Sequence, residues 1–144
     1  MTKQVNIGVI GVGHLGFHHA THLSKIKNAN LVGIYDIDSK RLDEVSKQLN
    51  VPSFESLDLL IDRVDALSIV TPTSTHKVVA EKCIQNGKHV FIEKPITTTT
   101  NDADHIVQLA KNNNTIIQVG HIERFNPALK YSQNISKYTE WHPL

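Results

Sequence analysis

Apolar residues in this chain fall into short runs separated by stretches of helical spacing, and the alternation repeats up to about residue 119. Gln4 to Ile10 reads as a strand apolar enough to be buried on both faces. A helix is predicted from His14 to Lys27, with Leu15, Leu23 and Ile26 as its packing face. Leu31 to Tyr35 reads as the second strand. Lys40 to Leu49 reads as a helix with Ser39 as its N-cap. Val51 to Phe54 has the composition of a short strand, and Ser56 to Arg63 that of a brief helix or turn. Asp65 to Val70 is the next strand. It must stop at Thr71-Pro72-Thr73, because proline cannot continue a central ladder.

A helix from His76 to Asn86 follows, with Gly87 at its C′ position. Val79 and Cys83 lie four apart and face the core, so Cys83 reads as a packing residue. Lys88 to Ile92, then Thr115 to Val119, read as strands around a helix from Asn101 to Asn113. The threonine run Thr97 to Thr100 is loop and N-cap. A final helix is expected to reach about Lys137, followed by a tail without clear structure. Strands alternating with helices predict an α/β fold: a doubly wound, mostly parallel sheet joined by right-handed crossovers. Such a sheet gathers Gly11, Asp36, Thr71, Lys94 and His121 on its carboxyl edge, where open α/β sheets bind ligands.

The first turn carries chemistry. The strand ends in Gly11-Val12-Gly13-His14-Leu15-Gly16, a Gly-x-Gly-x-x-Gly pattern that opens a helix. Gly11 permits the tight turn, Gly13 lets backbone approach a pyrophosphate, and Gly16 lets the helix lie close on the sheet. The helix start offers free N–H groups to the phosphates; at His14 the backbone N–H matters more than the ring. Asp36 ends the second strand, twenty residues past Gly16. Its carboxylate can accept hydrogen bonds from both hydroxyls of an adenosine ribose and would repel a 2′-phosphate. Two unit charges 4 Å apart are worth about 4 kcal/mol at an effective dielectric of ~20, so even a fraction favours NAD over NADP. Lys40 and Arg41 are the nearest bases. The threonine hydroxyls of Thr71-Pro72-Thr73 can meet phosphate or ribose, and also serve ordinary cap chemistry.

Composition narrows the field. A formal net charge of +1 supplies no global field toward nucleic acid or a membrane surface. One cysteine excludes an internal disulfide. No apolar run reaches the ~18 residues of a membrane span, and the N-terminus lacks a signal peptide's layout, so a cytoplasmic location is expected. His14, His18 and His22 have the i, i+4 spacing that can place two imidazoles on one metal, but no carboxylate or cysteine nearby in sequence completes a site, and no metal is expected.

Four further stretches complete a resemblance: Thr71-Pro72-Thr73-Ser74-Thr75-His76, Glu93-Lys94-Pro95-Ile96, Gly120-His121-Ile122-Glu123-Arg124-Phe125-Asn126-Pro127, and Asp36 at its spacing. With the glycine turn they resemble the Rossmann-type nucleotide-binding half of the glucose–fructose oxidoreductase / inositol dehydrogenase family of NAD(P)-dependent sugar and polyol dehydrogenases. The match covers Val5 to Pro127. It implies that Glu93 contacts the nicotinamide-side ribose. It also implies that Lys94 hydrogen-bonds the hydroxyl being oxidised and helps its proton leave, with Pro95 following a cis peptide bond that aims the lysine. Independently of the family, a lysine beside a bound cofactor can stabilise a developing alkoxide, and burial can lower its pKa toward neutrality.

Around Arg124 the chain looks most like members that oxidise nucleotide-linked amino sugars at a ring hydroxyl. His121 and Arg124 are the candidate substrate residues, with a structural salt bridge the competing role for Arg124. His19 is similar to a histidine that family members carry in this helix, with packing as its expected role. His76 begins a helix beside the Thr-Pro-Thr loop and either touches cofactor or substrate or is exposed. Family members continue into a second α/β domain that supplies the rest of the catalytic group, most of the substrate pocket and the oligomer interface. The expectation is a dinucleotide-binding domain over 1–127, with 128–144 starting a second domain that is absent, and no turnover by the chain alone. A homo-oligomer is expected only of a full-length form. A non-catalytic dinucleotide-binding sensor is the competing reading; a methyl transferase on a related fold fits the Glu-Lys-Pro stretch poorly.

Overall fold

The computed structural model describes residues 4–129. Five strands, β1 (Val5–Ile10), β2 (Ala29–Tyr35), β3 (Ala66–Ile69), β4 (His89–Ile92) and β5 (Ile117–Val119), form one sheet in the order β2-β1-β3-β4-β5. Every pairing is parallel. Between them run α1 (His14–Leu23), α2 (Ser39–Leu49), α3 (Leu57–Ile61), α4 (Thr73–Gln85) and α5 (Thr100–Asn112). A 3₁₀ turn, Ile122–Phe125, follows β5. The chain leaves β1 for β2 on one side, then crosses back to place β3 on the other. The carboxyl ends of β1 and β3 are therefore the switch point of the sheet, where a crevice opens.

Alternation within the strands divides the interior into two cores. Ile10, Leu67, Ile69, Val90 and Ile92 face α3, α4 and α5, meeting Leu60, Ile61, Cys83, Ile84 and Ile106. Val9 and Ile34 face the other way, toward Ala20 of α1 and Leu42 and Val45 of α2. Each Val, Leu or Ile among them contributes roughly 1.5–3 kcal/mol when fully buried. Helices on both faces are what makes the sheet doubly wound, as the alternation of elements predicts. Cys83 is fully buried in the first core, and burial pushes its thiol up to about 12. It should resist alkylation by iodoacetamide in the native chain at pH 8 and react once urea unfolds it. Stoichiometric labelling of folded protein would contradict that placement.

Several boundaries differ from the sequence reading. Helix α1 ends at Leu23 because its last turn tightens: Lys25 N–H donates to His22 and Ile26 N–H to Leu23, both at i−3 spacing. Its buried line is Gly16 and Ala20 flanked by Phe17 and Leu23, whereas Leu15 and Ile26 are 56% and 50% exposed. Ala20, fully buried in one core with Val9 and Ile34, is the small residue by which α1 lies close on the sheet. Asp38, not Ser39, caps α2, its carboxylate accepting the Arg41 N–H at 3.1 Å. Val51 to Phe54 forms a single parallel bridge, Ser53 to Ile34, rather than a strand. Helix α4 begins at Thr73, and Thr99 caps α5 by accepting the Asp102 N–H. Gly87 follows α4 at φ +72°, as expected at C′. The expected final helix and tail beyond Leu129 lie outside the described residues.

Candidate functional site

The crevice at the switch point is a cavity of about 580 Å³, walled by the glycine turn, the end of β2 and the Val70-Thr71-Pro72 loop. Each wall is built by a local constraint. Gly11 holds φ +85°, and a Cβ there would lie 2.8 Å from the Val70 carbonyl oxygen. Its N–H donates to the Tyr35 carbonyl at 2.8 Å, tying the turn to β2. Gly16 lies against the carbonyl of Gly11 itself, so the third glycine closes the turn more than it seats the helix on the sheet. Gly13 faces open space, with nothing within 4 Å of where its Cβ would be. No side chain caps α1, which leaves its first N–H groups to a ligand.

Asp36 closes the far side of the same turn. One carboxylate oxygen accepts the Val12 N–H at 2.7 Å and the other the Asp38 N–H at 2.9 Å. Each oxygen keeps a lone pair for a further donor, such as the two hydroxyls of a ribose. Arg41 approaches from behind, its Nε donating to the Val12 carbonyl at 2.9 Å. His14 and Leu15 also face the cavity, which accounts for the exposure of Leu15. Tyr35, Ile37, Leu57 and Val79 complete a largely apolar lining that the motifs did not reveal. Ile37, 91% exposed directly after Asp36, is the one signal the sequence offered: an apolar residue at a strand end just before a helix cap. The geometry fits an adenosine with its diphosphate: acceptors for ribose, free N–H groups for phosphate, and an apolar slot for a base.

The Thr-Pro-Thr loop contributes unevenly. Thr71, Pro72 and Thr75 line the cavity, with the Thr75 hydroxyl 2.9 Å from that of Thr71; Thr73 opens α4 and does not. His76 reverses the expectation of cofactor contact or exposure. Because α4 begins three residues early, its ring turns inward and is 1% exposed. Nε2 lies 2.8 Å from the Thr71 carbonyl and Nδ1 3.0 Å from that of Pro95, so the ring straps one edge loop to the next.

Beyond the cavity, Glu93, Lys94 and Pro95 end β4, and the Lys94–Pro95 bond is cis as the resemblance implies. The Lys94 side chain is exposed among the described residues. Glu93 is nearly enclosed: one oxygen lies 3.0 Å from His19 Nε2 and the other accepts the Lys94 N–H at 3.1 Å. His19 Nδ1 in turn lies 2.9 Å from the Ser68 hydroxyl. Burial holds the His19 imidazole below its ordinary value against the pull of Glu93. His19 thus does more than pack. His121 and Arg124 are exposed beside the end of β5, and among the described residues Arg124 has no carboxylate in ion-pair range. His14 and His18 stack edge to face, and no metal-ligating group of three gathers among the described residues. None of the described helices is long and apolar enough to cross a membrane.

Residues 5–121 match the model of an oxidoreductase family described by its NAD-binding Rossmann fold. UDP-N-acetylglucosamine 3-dehydrogenase of Acidithiobacillus ferrooxidans is 46% identical over 128 residues, covering 89% of this chain and 40% of that protein. NAD(+)-dependent scyllo-inositol 2-dehydrogenase of Bacillus subtilis is 36% identical over 132 residues, covering 89% of this chain and 39% of that one. A solved structure of the Acidithiobacillus enzyme superposes with a TM-score of 0.86 at 43% identity, over 92% of this chain and 42% of its own. The chain therefore spans about 40% of the length of the curated relatives it matches. With the turn, the acid and the Glu-Lys-Pro edge in place, the chain belongs to the glucose–fructose oxidoreductase / inositol dehydrogenase family, of which it forms the NAD-binding Rossmann domain.

Proposed function

We propose that this domain serves an NAD-dependent dehydrogenase that oxidises a ring hydroxyl of a sugar, most specifically of a nucleotide-linked sugar. The single observation that carries the reading is the shared crevice of Gly13 and Asp36, with the Glu93–Lys94 edge along the same side of the sheet. The Asp36 carboxylate accepts the adenosine ribose hydroxyls, and the start of α1 donates to the diphosphate. Glu93 receives the second ribose. When bound, NAD supplies the hydride acceptor. Lys94, exposed and unpaired among the described residues, donates a hydrogen bond to the substrate oxygen and stabilises the negative charge that grows there as its proton leaves. Arg124 and His121, on the neighbouring strand end, recognise substrate. A guanidinium fork suits a diphosphate, and the substrate in the name of the Acidithiobacillus relative carries one.

Titration of the chain with NADH, followed by nicotinamide fluorescence, tests the reading. Saturable enhancement in the micromolar range is expected. A linear response up to millimolar NADH would remove the basis for every role assigned above.

A further inference from the structure

Glu93 has no freedom of its own. Its side chain is only 12% exposed, and each carboxylate oxygen is already engaged. Gly120 of the adjacent strand end makes the room: a Cβ there would stand 2.9 Å from the Glu93 carboxylate and 3.0 Å from the Phe91 ring. His19 reaches the carboxylate across the sheet from α1, with Phe91 edge-on to its ring at 5.6 Å. Behind it stands Ser68, 2% exposed on the central strand β3 and in register with Phe91 of β4.

The proton bookkeeping of this row has one solution for a neutral ring. A carboxylate only accepts, so the hydrogen sits on His19 Nε2. Nδ1 is then an acceptor, and the Ser68 hydroxyl donates to it at 2.9 Å. The chain of donors runs Ser68 to His19 to Glu93, while the Lys94 N–H fixes the other oxygen. We infer that His19 is a positioning residue for the dinucleotide: backed by Ser68, it holds the Glu93 carboxylate in the one orientation that turns its remaining lone pairs toward the nicotinamide-side ribose. The inference rests on the proposed role of Glu93. It also links two ends of the ligand, because α1 opens at the phosphate turn and carries His19 on its second turn.

Two measurements test it. The first is the imidazole nitrogen NMR spectrum of the wild-type chain at pH 7.5, which needs no variant. It should show His19 protonated at Nε2 and bare at Nδ1; a proton on Nδ1 overturns the assignment. The second compares NADH with ADP by isothermal titration, since ADP lacks the second ribose. His19→Leu should weaken NADH about fivefold, the effect of one lost hydrogen bond, and leave ADP within about twofold. His19→Gln, which can place an amide donor near the Nε2 position, should recover most of the loss. A merely structural role would move both nucleotides together. An NADH-to-ADP ratio unmoved by His19→Leu overturns the positioning role and leaves the cofactor reading intact. A wild-type chain that saturates with neither nucleotide overturns the cofactor reading, and the positioning role with it.

Discussion

Gly16→Ala is expected to destabilise the chain by on the order of 3 kcal/mol and to abolish NADH binding, whereas Gly13→Ala is expected to keep the fold and lose only the ligand. The two glycines lie three residues apart, yet a methyl group on each meets different surroundings. On Gly16 it falls on the carbonyl oxygen of Gly11. That atom belongs to backbone held at φ +85° and tied to β2 through the Gly11 N–H, so it cannot step aside as a flexible side chain would. The turn must open, and the N–H groups aimed at the phosphates move with it. At an m-value of about 2 kcal/mol/M the urea midpoint drops by about 1.5 M. On Gly13 the methyl group meets nothing within 4 Å. Stability should change by less than about 0.5 kcal/mol, as for most surface substitutions. The same methyl group stands where the pyrophosphate must approach, and a clash of only about 1.4 kcal/mol is tenfold in affinity. Urea unfolding and NADH titration of both variants decide the matter. A Gly13→Ala variant that binds like wild type would move the phosphates elsewhere.

The sheet was legible because parallel strands covered on both faces leave short, mostly apolar runs, as in Val5–Ile10 and Ala66–Ile69, which Asn6 and Ser68 alone interrupt with polar side chains. Helix ends were less so. Asp38 and Ser39 are both good caps, and what chooses Asp38 is a carboxylate that reaches the Arg41 N–H while its own N–H is drawn to Asp36. Local composition cannot express that tertiary constraint. The face of α1 was misread for a related reason. Leu15 has the right chemistry for a core, but it is Ala20 that packs against the sheet, and the leucine is a wall of the crevice instead. Val51 to Phe54 has strand composition but pairs through one bridge only, because neighbours rather than propensity decide an edge.

The motif spacing brings some residues together in the crevice, and others reach it from a distance by packing. Gly11, Gly13, Asp36 and Thr71 share one crevice because strand ends of a parallel sheet must meet. Tyr35, Leu57 and Val79 line it by packing, which no spacing announces. His76, beside Thr-Pro-Thr, reads as either a ligand contact or an exposed residue, but α4 starts at Thr73 and the ring lies inward, holding Thr71 and Pro95. His19 and Ser68 are 49 residues apart, and only the registered sheet puts them in one row with Glu93.

Asp36→Ala should raise the NADH dissociation constant about thirtyfold, or about 2 kcal/mol, and bring NADH and NADPH close to parity. Hydrogen bonds to a charged group contribute roughly 1.5–3 kcal/mol each, and the carboxylate is placed to receive two from one ribose. The substitution also strips an acceptor from the Val12 and Asp38 N–H groups, so part of the loss is a slackened turn. That part is common to both cofactors and cancels in their ratio. What does not cancel is charge. Asp36 repels a 2′-phosphate, and with its carboxylate gone the Arg41 guanidinium, fixed on the Val12 carbonyl and paired with Glu44, is the cation behind the same turn. A 2′-phosphate would then meet a cation where it had met an anion, while NADH gains nothing. Asp36→Asn separates the contributions, since its amide keeps one acceptor oxygen and discards the charge. It should recover part of the NADH affinity and none of the discrimination. If both variants preserve the wild-type NADH-to-NADPH ratio, the ribose does not lie against residue 36, and the adenosine must occupy the crevice in another orientation.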